Sequence, residues 1–242
     1  MANHAHMQIG CLPSLRDRRT LRLANYSRPG LAPPPPKRLW SPPVKIWGVG
    51  GNDHYGNCVP VTAAHMILSF RANDANDTTP LPDEAIVKLS RQMGALHGYN
   101  ILDRLKYWHK TGMWGITIEG YAAVDLEQET LTKNAIDEFG AADIALDLPN
   151  SWKYDDVWDI GRGPGYRPGT WGGHSVPLVD YDEETATCVT WGELKKITWP
   201  ALYAYSPERW AVICSAWTGR DQKTPSGFDL DALRADIASL AT

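Results

Sequence analysis

The stretch NDHYGNCVP, residues 52–60, opens the clearest helical pattern of the chain. After Cys58, apolar residues recur at close to helical spacing until the polar cluster at 73–77, which predicts a helix over about 58–72. Pro60 suits the first turn, where its missing N–H is not needed. A thiol at a helix N-terminus meets unpaired N–H groups and the positive end of the helix dipole, which lower its pKa. Cys58 is therefore a candidate nucleophile, and a small buried core thiol is the alternative.

A histidine in the second half of the chain is the candidate partner of this thiol. His174 lies in GGHSVPLVDY, residues 172–181, at the start of a predicted strand over 174–181. A nucleophilic cysteine needs a base that is close in space, not in sequence. A cysteine at a helix start and a histidine at a strand start could meet across a cleft. The alternative is a hydrogen-bonded histidine beside a glycine turn.

Helical patterns dominate the first half of the sequence, and strand patterns dominate the second. The other predicted helices cover about 82–93, 101–111, 126–139 (closed by Gly140) and 229–241 (after the N-cap candidate Asp229), and the other predicted strands cover about 115–124, 142–148, 187–191 and 210–216. Runs of helices followed by runs of strands favour an α+β fold with two packed lobes over a parallel α/β sheet.

The composition excludes several classes of protein. The 242 residues are 43% hydrophobic and 21% charged, which is typical of a globular chain with a sizeable core. No apolar run approaches the roughly 18 residues of a membrane span, and the first residues do not resemble a secretory signal, so a cytoplasmic protein is expected. The 4 cysteines form no CxxC pair, so neither a disulfide framework nor a zinc ribbon is predicted. No cofactor or metal site is predicted.

The first 45 residues form a basic, proline-rich arm. They carry 8 basic residues and 1 acidic residue, a net charge of +7, whereas residues 46–242 carry 16 basic and 27 acidic residues, a net charge of -11. Residues 29–43 contain 7 prolines and are expected to be extended. The arm is predicted to lie across its own body, in one version over the cleft as an inhibitory strap, or to dock on a neighbouring subunit in an assembly. The acidic body disfavours nucleic acid.

The residues around Cys58 and His174 resemble those of papain-like cysteine peptidases. That family has a glutamine six residues before the nucleophile and a glycine two residues before it, and this sequence has Asn52 and Gly56 at those offsets. The family's histidine pattern, x-H-A-V-x-x-V-G-Y, is similar position by position to GHSVPLVDY, residues 173–181. The resemblance implies a two-lobe fold, with a helical N-terminal lobe and an antiparallel β-rich C-terminal lobe.

The resemblance spans about 47–215 and leaves the arm and the last helix unexplained. The family's Asn-Ser-Trp-Gly corresponds to VTWG, residues 189–192, so the asparagine that orients the histidine is missing. Aligning on the Trp-Gly pair puts Val189 in its place, whereas counting sixteen residues from His174 puts Thr190 there. The Thr190 hydroxyl could accept a hydrogen bond from the imidazole, and Val189 could not.

The resemblance also implies a division of roles. Cys58 would be the nucleophile, His174 the base, Thr190 the orienting group, and Asn52 an oxyanion donor together with the Cys58 backbone N–H. The function expected is hydrolysis of peptide or isopeptide bonds in a peptide or protein substrate. The alternative is a catalytically weak or inactive papain-fold structural or binding protein, virion-associated in a bacteriophage, because similar proteins of unassigned role occur in bacterial and phage genomes.

Overall fold

The structure is a computed structural model that describes residues 4–15, 17–218 and 228–240. Its helices are α1 (Cys58–Asp74), α2 (Asp83–Gln92), α3 (Ile101–Thr111), α4 (Glu129–Phe139), α5 (Trp199–Tyr205), α6 (Ser215–Thr218) and α7 (Leu230–Leu240). Three short 3-10 helices, at Leu23–Tyr26, Asn150–Lys153 and Pro164–Tyr166, lie between strands. Within the described ranges, no helix combines the length and the apolar character needed to cross a membrane.

One mostly antiparallel sheet dominates the second half of the chain. The strands are β1 (Cys11–Leu12), β2 (Arg38–Leu39), β3 (Tyr99–Asn100), β4 (Ile118–Ala123), β5 (Ala142–Leu148), β6 (Val157–Trp158), β7 (Gly172–Tyr181), β8 (Thr185–Thr190), β9 (Glu193–Thr198) and β10 (Glu208–Cys214). In space they run β4-β10-β5-β7-β8-β9-β6, with β2 also paired to β7, and only the β6–β9 pair of this sheet is parallel among the described strands. Strands β1 and β3 form a separate parallel pair. The α+β prediction is confirmed.

The predicted helices agree with α1, α2, α3, α4 and α7 to within a few residues at their ends. Gly140 follows α4 in a left-handed conformation, with a φ of 78°, as its C-terminal position predicts. Asp229 caps α7, because its carboxylate accepts the backbone N–H of Ala232. Residue 241 of the last predicted helix lies outside the described residues.

Strand β9 and helix α5 are absent from the sequence predictions. Two consecutive lysines interrupt the alternation in β9, and Lys195 is buried while Leu194 is exposed, so the strand pattern is obscured. The start of α5 does have a local signal, since the Thr198 hydroxyl accepts the backbone N–H of Ala201 and Pro200 lies in the first turn. A search for capped starts would have found this helix.

Helix α1 is buried on nearly every face and packs between the sheet and the other early helices. A helix that is apolar on every side is typical of a protein interior. This explains why the apolar residues of α1 are not limited to one face. On one side it packs against β7, and on the other against α2 and α3. This packing holds the first residue of α1, Cys58, at the junction between the helices and the sheet.

The proline-rich part of the arm is tied to the sheet where it ends. The Asp180 carboxylate, on β7, accepts the backbone N–H groups of Trp40 and Ser41 and the Ser41 hydroxyl. Residues 33–36, the four consecutive prolines, form neither helix nor strand, as predicted. The arm therefore lies against its own body in this chain.

A buried histidine in α1 should make the fold sensitive to acid. His65 is buried and donates its Nε2–H to the Gly48 carbonyl, and burial lowers its pKa from 6.5 to about 4. Because the pKa is lower in the folded chain, the neutral imidazole stabilises the fold fully above about pH 6.5, and this contribution is lost as the pH falls toward 4. The loss can reach about 1.4 kcal/mol per pH unit. Urea unfolding between pH 7 and pH 5 should show a shallower decline for His65→Gln than for the natural chain, and equal declines would contradict this assignment.

Candidate active site

Cys58 is the first residue of α1, and its side chain is 1% exposed. The loop before it is built on glycines, of which Gly50 and Gly51 have φ values of 67° and 77°, in the left-handed region that favours glycine. The Asn57 amide donates to the Gly50 carbonyl at 2.9 Å and so ties this loop to the start of the helix. The local sequence thus directs the thiol toward the junction with β7.

His174 is the third residue of β7, and its ring is buried. Its Nε2 lies 2.8 Å from the Thr190 hydroxyl, at the end of β8, so Thr190 and not Val189 contacts the imidazole. The Val189 side chain is buried in the apolar core. The His174 Nδ1 atom is also buried and has no hydrogen-bond partner among the described residues. Thr190 therefore orients the imidazole through Nε2, and Nδ1 is the nitrogen that can accept a proton.

Trp191 stacks between the His174 imidazole and the arm. Trp191 stacks on the His174 ring with centroids 4.5 Å apart, and also on the ring of His4, from the arm, at 4.9 Å. Trp191 has a φ of 47° and forms the tight β8–β9 turn with Gly192, whose φ is 82°. This turn places the indole over the candidate base.

Asn52, the expected oxyanion donor, is buried in the glycine loop. Its amide donates to the Tyr55 carbonyl at 2.8 Å, within the same loop, so one of its two amide hydrogens is engaged. The second hydrogen is the one available to a bound substrate. Its role as an oxyanion donor stays a prediction, as do the catalytic roles of Cys58, His174 and Thr190.

The N-terminal end of the arm packs beside Cys58, where the backbone N–H of Gly10 faces the thiol. The Gln8 N–H donates to the Asn52 carbonyl at 3.1 Å, and the Gly10 N–H donates to the Gly173 carbonyl at 3.1 Å. The Gly10 carbonyl accepts the Tyr99 N–H at 2.9 Å. These hydrogen bonds join the arm to the loop before α1, to β7 and to β3, so the arm bridges the two sides of the cleft.

The backbone of the arm touches the backbone of the body at two glycines, Gly10 and Gly173. A Cβ built on Gly10 would lie 2.0 Å from the Gly56 carbonyl oxygen, and one built on Gly173 would lie 2.0 Å from the Cys11 carbonyl oxygen. Both distances are far shorter than real contacts, so the two backbones touch because neither glycine has a side chain. The sequence pattern points to Gly173 but not to Gly10, and it leaves open whether the arm crosses its own cleft or docks on a neighbouring subunit.

Three solved structures share this arrangement of helices and sheet. Xylellain, a cysteine protease from Xylella fastidiosa, matches with a TM-score of 0.66 at 16% identity over 86% of this chain and 96% of its own. Procathepsin B S9 from Trypanosoma congolense matches with a TM-score of 0.63 at 9% identity, over 87% and 88%. The Carica candamarcensis cysteine protease CMS1MS2, in complex with E-64, matches with a TM-score of 0.54 at 14% identity, over 74% and 98%. The fold is that of the papain-like cysteine proteases.

The papain-like fold is established by structure alone. No protein-family model matches the sequence, and no curated protein sequence matches it either. The papain-like resemblance of the sequence and the two-lobe α+β prediction are confirmed by the structural matches. Their low identities do not carry the activity of those proteases over to this chain.

Burial dominates the electrostatics of the papain-like site. It raises the pKa of the Cys58 thiol to about 11, and the backbone N–H groups of Ser175 and Gly10 offset only part of this effect. Burial, with smaller contributions from His4 and His65, lowers the pKa of His174 to about 3. Thiol and imidazole are therefore both neutral at pH 7 while the arm is docked. The expected lowering of the thiol pKa by the helix start is wrong for this closed state, because burial outweighs the helix end.

Proposed function

We propose that the chain is a papain-like cysteine hydrolase of peptide or isopeptide bonds, held in a resting state by its own arm. The observation that carries the proposal is the imidazole of His174. It lies on the strand packed against α1, with Thr190 on Nε2 and a buried Nδ1 that has no partner among the residues that the structure describes. A buried nitrogen without a partner is costly, so its retention favours a use in proton transfer.

The reaction proceeds in two steps once the arm has left. The Cys58 thiol gives its proton to His174 Nδ1 while the sulfur attacks the carbonyl carbon, and the Cys58 N–H and the Asn52 amide bind the resulting oxyanion. The C–N bond then breaks, and the leaving amine takes the proton from His174. Water, deprotonated by His174, hydrolyses the thioester and restores the thiol. Thr190 holds the ring through Nε2 during both proton transfers.

The docked arm has the features of an inhibitor and not of a substrate. Its Gly10 carbonyl is bound to the Tyr99 N–H of β3 and is therefore not presented to the oxyanion donors. The arm also places the backbone N–H of Gly10 beside the buried Cys58 thiol, where a substrate carbonyl would have to approach. Both effects support a latent enzyme.

A catalytically inactive papain-fold binding protein is the second candidate function. The Cys58 thiol makes no hydrogen bond to His174 in the closed state, since the Nδ1 atom has no partner in the described chain. A fold that has lost efficient catalysis would keep its cleft and bind an extended segment, as it binds the arm here.

Labelling with a peptidyl epoxide separates the two functions. In the full-length chain carrying Gly10→Ala, which should lift the arm, Cys58 is expected to react while Cys188 and Cys214, both buried, do not. Cys11, which leaves with the arm, is the unactivated thiol for comparison. Cleavage sites in a mixture of denatured proteins, read by mass spectrometry, report hydrolysis.

The matched variants test the base. His174→Ala should abolish the epoxide reaction at Cys58, whereas His54→Ala should leave it unchanged, because the His54 side chain is exposed on the loop before α1. If Cys58 reacts no faster than Cys11, and only at alkaline pH, with no protein cleaved, the binding function replaces the hydrolase.

A further inference from the structure

A chain of hydroxyl groups connects the strand that carries His174 to the residue that carries the thiol. The Ser175 hydroxyl, on β7, donates to the Thr62 hydroxyl at 3.0 Å, and the Thr62 hydroxyl donates to the Cys58 carbonyl at 3.0 Å. Ser175 is 2% exposed and Thr62 is 1% exposed, so water does not compete for either hydrogen bond.

Ser175 interacts with Cys58 in two ways, once directly and once through Thr62. Its backbone N–H lies near enough to the Cys58 sulfur to favour the thiolate, while its hydroxyl reaches the Cys58 carbonyl through Thr62. Ser175 also directly follows His174 in β7. A movement of α1 against β7 would therefore break this hydroxyl chain. The same movement would change the approach of the Cys58 thiol to the His174 imidazole.

The Thr62 hydrogen bond is not one that helix formation requires. A threonine that donates back to the carbonyl four residues earlier slightly destabilises and bends a helix. Here that carbonyl belongs to Cys58, so the hydrogen bond lies in the first turn of α1, which begins with the thiol-bearing residue. The hydroxyl is thus placed where it affects the direction of the nucleophile.

We propose that Thr62 and Ser175 are positioning residues, which fix the start of α1 against β7 so that the Cys58 thiol meets His174 in the productive geometry. The inference rests on the proposed hydrolase function. Small errors of placement are costly in catalysis, since a misplacement of about 1 Å can reduce a rate by about 100-fold. Neither residue touches the substrate, and both act through the two residues that do.

The test compares Ser175→Ala, Thr62→Val and the double variant in the full-length chain carrying Gly10→Ala. The control is Ser69→Ala, because Ser69 is a fully buried serine of the same helix whose hydroxyl has no partner among the described residues. The readouts are the pH profile of Cys58 alkylation by iodoacetamide, the kcat for a peptide ester, and the melting temperature. The control removes a buried hydroxyl from α1 without touching the chain from Ser175 to Cys58.

Each positioning variant should lower the alkylation rate near neutral pH by about 10-fold and move the acid limb of its profile to higher pH. The double variant should match the more affected single variant, because the two hydroxyls act as one unit. Ser69→Ala should stay within about twofold of the parent.

Profiles that coincide with that of Ser69→Ala, or additive losses in the double variant, would overturn the positioning role while leaving the hydrolase intact. A fall in melting temperature with an unchanged profile would make the hydroxyl chain merely structural. If the Gly10→Ala parent itself alkylates like a free thiol and cleaves no ester, the proposed function fails, and the positioning role fails with it.

Discussion

Replacing Gly10 by alanine should raise the alkylation rate of Cys58 in the natural chain by about 10-fold to 100-fold. The added methyl group would lie 2.0 Å from the Gly56 carbonyl oxygen and 2.9 Å from the Gly56 Cα, both backbone atoms that cannot turn aside. Overpacking of this kind costs about 1–3 kcal/mol, and each 1.4 kcal/mol changes the fraction of open arm by about tenfold. Iodoacetamide labelling at pH 7, followed by mass spectrometry of the Cys58 peptide, measures the effect.

The control for this variant is Gly165→Ala. A Cβ at Gly165 would lie 3.8 Å from the nearest atom, the Ser151 Cβ, which is ordinary contact. This second variant should label at the rate of the natural chain. An unchanged rate in Gly10→Ala as well would show that the arm does not limit access to Cys58.

Replacing Arg104 by leucine should destabilise the folded chain by about 3–5 kcal/mol. Arg104, on α3, pairs with Asp143, on β5, and both side chains are completely buried. The Arg104 Nε and Nη1 atoms and the Asp143 Oδ1 atom have no hydrogen-bond partner in the described chain, and burial lowers the pKa of Arg104 to about 9. Removing one charge leaves the other buried and uncompensated. Urea unfolding gives the change.

The double variant Arg104→Leu, Asp143→Leu should recover most of this loss, because the desolvation penalty of both charges disappears together. The comparison variant is Arg19→Leu, which breaks the exposed Arg19–Asp17 pair and should leave the unfolding midpoint unchanged. Equal losses in Arg104→Leu and in the double variant would show that packing, and not charge, causes the destabilisation.

Charge is a poor guide to where the arm docks. Its net charge of +7 comes from residues 16–45, and the docked segment of residues 4–12 contains no Lys, Arg, Asp or Glu. Backbone hydrogen bonds of Gln8 and Gly10 hold that segment in the cleft. Farther along, basic residues of the arm do meet acidic residues of the body, as Arg22 meets Asp125 at 3.3 Å. The charge asymmetry is consistent with docking of the arm against the body, but it does not predict that residues 4–12 lie in the cleft.

The sequence predicts some features of the candidate site, and the tertiary structure determines the others. The helix start at Cys58, the strand at His174 and the α+β class follow from periodicity, turn residues and caps, which act over a few neighbouring residues. The choice between Thr190 and Val189 depends on which side chain of β8 faces the histidine, and the β8–β9 turn at Trp191 and Gly192 determines that register.

Local sequence determined where the helices and strands begin and which residue types lie at their starts, because capping, glycine conformation and apolar spacing are short-range effects. The tertiary structure decided the ionisation of Cys58 and His174, the pairing of Arg104 with Asp143 and the route of the arm. Each of these depends on burial, and burial is a sum over segments far apart in the chain. A helix start lowers a thiol pKa in water, but the segments packed around Cys58 bury it, and that burial raises its pKa instead.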